Sequence, residues 1–169
     1  MVDQFFVTKF FKKLVALNKG SYSKCLCLGC ITYLEQLKDV ARLVSTVITD
    51  PLMIQGIILY MGNQLLKVYL TNLRKICPEE TYDLVFINHW FEASDAITIS
   101  TSMGLLYSAT KIGGTIVLRE RVKKNNSPYP RLSFYNELIK TLGLKTLKSH
   151  LCYFNRYCIV CMILVKETY

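Results

Sequence analysis

Short apolar runs alternate along this chain with longer stretches in which apolar residues recur every three or four positions. The short runs are strand signals and the longer ones helix signals, so their alternation predicts a largely parallel sheet covered by helices. Phe6, Phe10, Phe11, Leu14, Val15 and Leu17 stand at helical spacing, with Lys9, Lys12 and Lys13 on other faces. This predicts an amphipathic helix over residues 1–20. Lys24 to Leu28 reads as a first strand, and Gly29 turns the chain into a helix with Ile31, Leu34, Leu37, Val40 and Ala41 as its buried stripe. Ser45 to Thr49 reads as a second strand ending at Asp50 and Pro51. Met53, Ile54, Ile57, Ile58 and Met61 form the stripe of the next helix. Leu66 to Leu70 is the third strand. Tyr82 to Ile87 is the fourth, nearly all apolar as a central parallel strand should be.

The second half continues the rhythm. Ala96 to Ile112 is helical in pattern, although its Ser and Thr residues weaken it by propensity. Gly113 and Gly114 turn the chain into a fifth strand, Thr115 to Arg119, and Val122 to Arg131 reads as a loop. Leu132, Tyr135, Leu138, Ile139 and Leu142 make a helical face that Gly143 ends. Thr146 to Tyr153 and Tyr157 to Lys166 are strand-like and separated only by Phe154, Asn155 and Arg156. So short a link holds no crossover helix, so these two strands must be antiparallel neighbours.

Composition narrows the class. The 169 residues are 51% hydrophobic, with no internal repeat and no linker-like break. A single domain over 1–169, with its core in 24–166, is therefore expected, and disorder is excluded. The longest apolar run, Cys158 to Val165, is far shorter than the ~20 residues of a membrane span. Asp3, Lys9, Lys12 and Lys13 break any secretory signal at the N-terminus. The seven cysteines are odd in number and sit mostly in apolar runs. That points to reduced, buried thiols and an intracellular setting, cytoplasmic or nuclear. Cys25, Cys27, Cys30, Cys158 and Cys161 invite a zinc reading. Four of the five lie in strands, where neighbours alternate between faces, so no metal site is expected. The net charge of +9 favours polyanionic partners, whether nucleic acid such as RNA, an acidic protein or an anionic membrane surface, and does not choose among them.

Five strand–helix units closed by an antiparallel pair set this pattern apart from an ordinary nucleotide-binding α/β domain. From Lys24 to Lys166 the chain resembles the class I S-adenosylmethionine (SAM) methyltransferases. "KCLCLG" matches their first strand and glycine loop, "VITD" their second strand with its terminal acid, "YDLVFIN" the fourth strand and "ATKIGGTIVL" the fifth. "FYNELIKTLGLKTLKSH" is similar to the helix-to-strand step that follows. The resemblance implies an α/β fold: a Rossmann-like class I methyltransferase sandwich with a mostly parallel seven-stranded sheet and a C-terminal antiparallel strand. It implies SAM as cofactor, with Gly29 at the glycine turn, Asp50 on the ribose hydroxyls, Asn72 at the adenine and Asn88 beside the ligand. Asp50 also suits the N-cap of a helix opened by Pro51. Where the family carries an acid and further small residues, this chain has Cys27, Cys30 and Ile31.

"YDLVFINHWFEASD" is faintly similar to the protein α-amino N-terminal methyltransferases. By that likeness Asn88, His89 and Trp90 form the acceptor corner, His89 taking a proton from a nitrogen nucleophile and Trp90 holding the acceptor. The alternative for this corner is packing, with Trp90 under the next helix. Arg119, Arg121, Lys123, Lys124 and Arg131 make a basic loop after the fifth strand, on the same edge as Asp50 and His89, and are candidates to contact RNA or an acidic partner. Two functions follow: a degenerate methyltransferase fold kept as a binding or partner subunit in a protein or protein–RNA complex, or an active SAM-dependent N-methyltransferase acting on protein or RNA.

Overall fold

The computed structural model describes residues 16, 22–29, 37, 40–47, 66–69, 81–92, 94–123, 128–154 and 157–168, with the backbone alone at 47 and 66–69. The helices expected over 1–20 and after the first and second strands lie outside the described residues, except for Ala16 and Leu37. Seven strands are described: β1 (Tyr22–Leu28), β2 (Ala41–Val47), β3 (Leu66–Tyr69), β4 (Tyr82–Asn88), β5 (Thr110–Lys123), β6 (Leu144–Tyr153) and β7 (Tyr157–Lys166). The described helices are α1 (Ala96–Ala109) and α2 (Leu132–Thr141). The strands form one sheet in the order β3-β2-β1-β4-β5-β7-β6. β1 to β5 pair in parallel, while β7 runs antiparallel to both β5 and β6.

The order reverses between β1 and β4. In open α/β sheets that switch point, at the carboxyl ends of the strands, is where ligands bind. Here it brings Gly29, after β1, beside Asn88 at the end of β4. The strands in the middle of the sheet are apolar because both faces are covered: Leu84 to Ile87 and Ile116 to Leu118 are almost wholly buried. One face is packed by α1 and α2. Ile99, Met103, Leu106 and Ala109 of α1 and Tyr135 and Ile139 of α2 recur at helical spacing and meet Leu26, Leu28, Val85 and Ile87 in one core. Asp95 starts α1 by accepting the Thr98 N–H at 2.7 Å, which offsets its weak Ser/Thr content. Gly143, at φ +66, ends α2.

Three expectations need correcting. β2 begins at Ala41, so Val40 and Ala41 belong to a turn and a strand and not to a helical stripe. Ala and Arg favour helix by propensity, but the ladder with β1, from Tyr22↔Ala41 to Leu28↔Val47, decides the conformation. α1 stops at Ala109, and β5 already runs from Thr110 through both glycines, with an irregular register against β4 between Tyr82 and Leu84. Finally, Cys27 is disulfide-bonded, against the expectation of reduced thiols, whereas Cys25, Cys152, Cys158 and Cys161 are free. Burial in an apolar strand indicates a packed sulfur but says nothing of a second sulfur within reach.

Candidate functional site

β4 ends in Asn88, His89 and Trp90, and β5 supplies what they bond to. Arg119, opposite Asn88 in the ladder, is only 4% exposed. Its Nη1 donates to Asn88 Oδ1 at 2.7 Å and lies 2.6 Å from His89 Nε2. A guanidinium has no lone pair to offer, so Nε2 must be the acceptor in that contact. The His89 proton then sits on Nδ1, which stands 3.0 Å from Glu92 Oε1. Glu92 in turn faces Arg121, with Nε 3.1 Å from Oε1 and Nη1 donating to Oε2 at 3.1 Å. One continuous polar chain thus runs from Asn88 through Arg119, His89 and Glu92 to Arg121. His89 is bent to φ +50, where few non-glycine residues sit, and its N–H is tied to the Arg119 carbonyl at 2.8 Å.

Asn88 also reaches the other way, Nδ2 donating to the Gly29 carbonyl at 3.0 Å. Gly29 itself lies at φ +67, and a β-carbon there would land on the Asn88 carbonyl oxygen. The first turn is therefore a glycine because β4 passes directly beside it. This is the position where a SAM-binding fold brings backbone to ligand. The described side chains at that edge, Asn88, His89 and Arg119, are bonded to one another.

Behind the corner sits Glu120, 1% exposed and pointing to the opposite face from Arg119. Its Oε1 accepts the N–H of Trp90 at 2.8 Å and of Phe91 at 3.2 Å, fixing the turn after β4. Burial pushes the carboxyl up to about 8, against the pull of those two donors, and the nearby Glu92 charge adds to the rise. Tyr135 of α2 lies close enough that the Glu120 charge, after burial itself, raises its hydroxyl pKa.

The sequence-predicted residues therefore divide. Asn88, His89 and Gly29 come together. Trp90 packs against the hydrophobic core. Asp50, Asn72 and Lys124 lie outside the described residues. Arg119 is buried in the polar chain, so it is not a surface cation, and Arg121 is held by Glu92 and by Tyr129, whose hydroxyl is 3.2 Å away. Lys123 and Arg131 are exposed. Glu92, Glu120, Tyr129 and Tyr157 were not anticipated. The spacing of His89 and Glu92, three residues apart across a turn, was the available signal for the first of them.

At the opposite edge, Tyr22, Asp83, Lys111 and Gly114 line a cleft of about 320 Å³ braced by a 2.7 Å Lys111–Asp83 ion pair. It lies at the amino ends of the parallel strands, away from the switch point. Among the described residues no cluster of His, Cys, Asp and Glu could hold a metal, and no helix is long and apolar enough to cross a membrane.

No known family's sequence pattern matches the chain, and no curated protein matches it in sequence. Its shape is widely shared. The N-methyltransferase NodS from Bradyrhizobium japonicum WM9 superposes with a TM-score of 0.76 at 16% identity, over 99% of this chain and 100% of that one. Magnesium protoporphyrin IX methyltransferase (ChlM) from Synechocystis PCC 6803, with bound SAM, gives 0.75 at 15% identity, over 98% of this chain and 80% of that one. The [4+2]-cyclase SpnF also gives 0.75, at 9% identity, over 95% of this chain and 81% of that one. At such identities the likeness is one of fold.

Proposed function

On a chain with the class I SAM-dependent methyltransferase fold, we propose that the fold serves as a binding or partner subunit in a protein or protein–RNA complex, not as a methyl-transfer enzyme. One observation carries this reading: Arg119, buried beneath the acceptor corner, bonds both Asn88 and His89. A nitrogen acceptor must lose a proton, and the lone pair that His89 would use for that is already given to a guanidinium. The closed turn at Gly29 supports the same reading, because its steric demand is met by Asn88 and not by a ligand. The substitutions in the cofactor loop, Cys27, Cys30 and Ile31, agree with it.

Titration calorimetry with SAM on the full chain tests the proposal. No heat of binding is expected at millimolar SAM. Micromolar binding that Asp50→Ala abolishes would overturn it in favour of an active N-methyltransferase working on protein or RNA.

A further inference from the structure

β5 outruns its parallel neighbour. The last β4–β5 pair is Asn88 with Arg119, yet β5 continues to Lys123 because β7 stays paired with it. β7 begins and β6 ends at this overhang, with Tyr157 opposite Lys123 and Tyr153 opposite Cys158. Strand alternation puts Arg121 and Lys123 on one face. There the Arg121 guanidinium carbon lies 4.7 Å from the Tyr157 ring centroid and 5.8 Å from that of Tyr129. Phe154 stacks on Tyr157 with centroids 5.2 Å apart and an interplanar angle of 26°, and Tyr129 meets the same ring edge-on at 6.0 Å. Phe154 is 38% exposed and its neighbour Tyr153 71% exposed.

The charge around these rings is mostly positive. In sequence, residues 121–136 and 144–158 contain Lys and Arg but no Asp or Glu. Glu92 reaches in from the turn after β4, but it is engaged by Arg121 on both oxygens. That pairing holds the guanidinium over the rings. Solvent-facing aromatic side chains beside a guanidinium, in a surround where the Glu92 carboxylate is already paired with that guanidinium, match the way proteins hold unstacked bases on a phosphate chain.

We propose that this overhang docks single-stranded RNA, a base stacking on the Phe154–Tyr157 ladder while Lys123 and Arg131 meet flanking phosphates. The inference rests on the binding-subunit reading and names its partner. Arg121 is a positioning residue here, and Arg119 takes no part. An acidic protein would need the cations and not the rings. A duplex, with its bases already stacked, would find no use for Phe154.

Fluorescence anisotropy of a short labelled oligouridine, titrated with the full chain between about 50 and 200 mM salt, tests this. Phe154→Ala should weaken binding about 5- to 100-fold with an unchanged salt slope, and Phe154→Tyr should restore it. Lys123→Ala should lower the salt slope by about one. Lys145→Ala, whose lysine pairs with Glu167 on the far end of β6, should bind as wild type. Tyr157→Leu repeats the ring test within the same ladder should Phe154→Ala fold poorly. The proposal is overturned by ring variants that bind normally, by equal affinity for duplex RNA, by an equal loss in Lys145→Ala, or by full competition from a polyglutamate peptide. SAM binding would overturn the binding-subunit reading and leave these titrations unmoved, so the two failures are distinguishable.

Discussion

Glu120 shows how far one residue's environment can depart from what its letter suggests. In sequence it is the lone acid between Arg119 and Arg121, a plausible charge balance for a basic loop. In the structure it faces inward, away from both, and caps the N–H groups of Trp90 and Phe91. Its carboxyl titrates near 8, where an unfolded chain's would titrate near 4.5. Between those values the folded protein keeps a proton that the unfolded chain releases. Stability from this group is therefore full below pH 4.5 and is lost as pH rises to 8. Glu120→Gln keeps the carbonyl oxygen that the two N–H groups need and removes the titration. Urea unfolding should find the variant close to wild type near pH 5 and more stable near pH 9, by an amount on the order of a few kcal/mol. Equal destabilisation at both pH values would sink this account.

At the scale of elements, the turn after β1 and the end of β4 are one unit. Gly29 is confined both by its φ of +67 and by the Asn88 carbonyl that a β-carbon would strike. Gly29→Ala must either separate the turn from β4 or strain both, and it should lower stability by at least ~2 kcal/mol in denaturant unfolding. A wild-type midpoint would mean that the turn opens freely. The same elements show what the sequence could convey. β7 was legible end to end, and β4 to one residue short of its end, because both faces are buried and apolar residues run almost unbroken. β5 was legible only in its middle. Gly113 and Gly114 resemble a turn, and Val122 and Lys123 resemble the start of a loop, yet nine residues of β5 from Thr115 to Lys123 pair with β7. Charged residues enter a buried strand only when partners neutralise them. Those partners, Asn88, His89 and Glu92, stand about 30 residues away in sequence. Periodicity cannot see such a pairing. That Asn88 and His89 stand together at the end of β4 was readable, but the hydrogen bonds that occupy His89 were invisible for the same reason.

For the whole molecule, the decisive feature is that the last strand in sequence is not last in the sheet. β7 inserts between β5 and β6, pairing with both. The short link after Tyr153 made the antiparallel β6–β7 pair readable, whereas the insertion beside β5 follows from the family resemblance and not from spacing. Its energetic weight is large. Val160, Met162, Ile163 and Leu164 are each at most 2% exposed. At ~1.5–3 kcal/mol for each buried side chain, these four alone approach the 5–15 kcal/mol by which a whole domain is stable. Removing β7 would also leave β5 and β6 with unpaired backbone edges. A chain stopped before Tyr157 should therefore show no cooperative thermal transition by circular dichroism. A chain stopped after Lys166 loses only the exposed Lys145–Glu167 pair, worth about 0–1 kcal/mol, and should melt within a few degrees of the intact protein. A cooperative melt of the shorter chain would show that β1 to β5 form a self-sufficient core. The overhang that carries Phe154 and Tyr157 would then be an appendage to the fold, where the present pairing makes it a consequence of how the sheet closes.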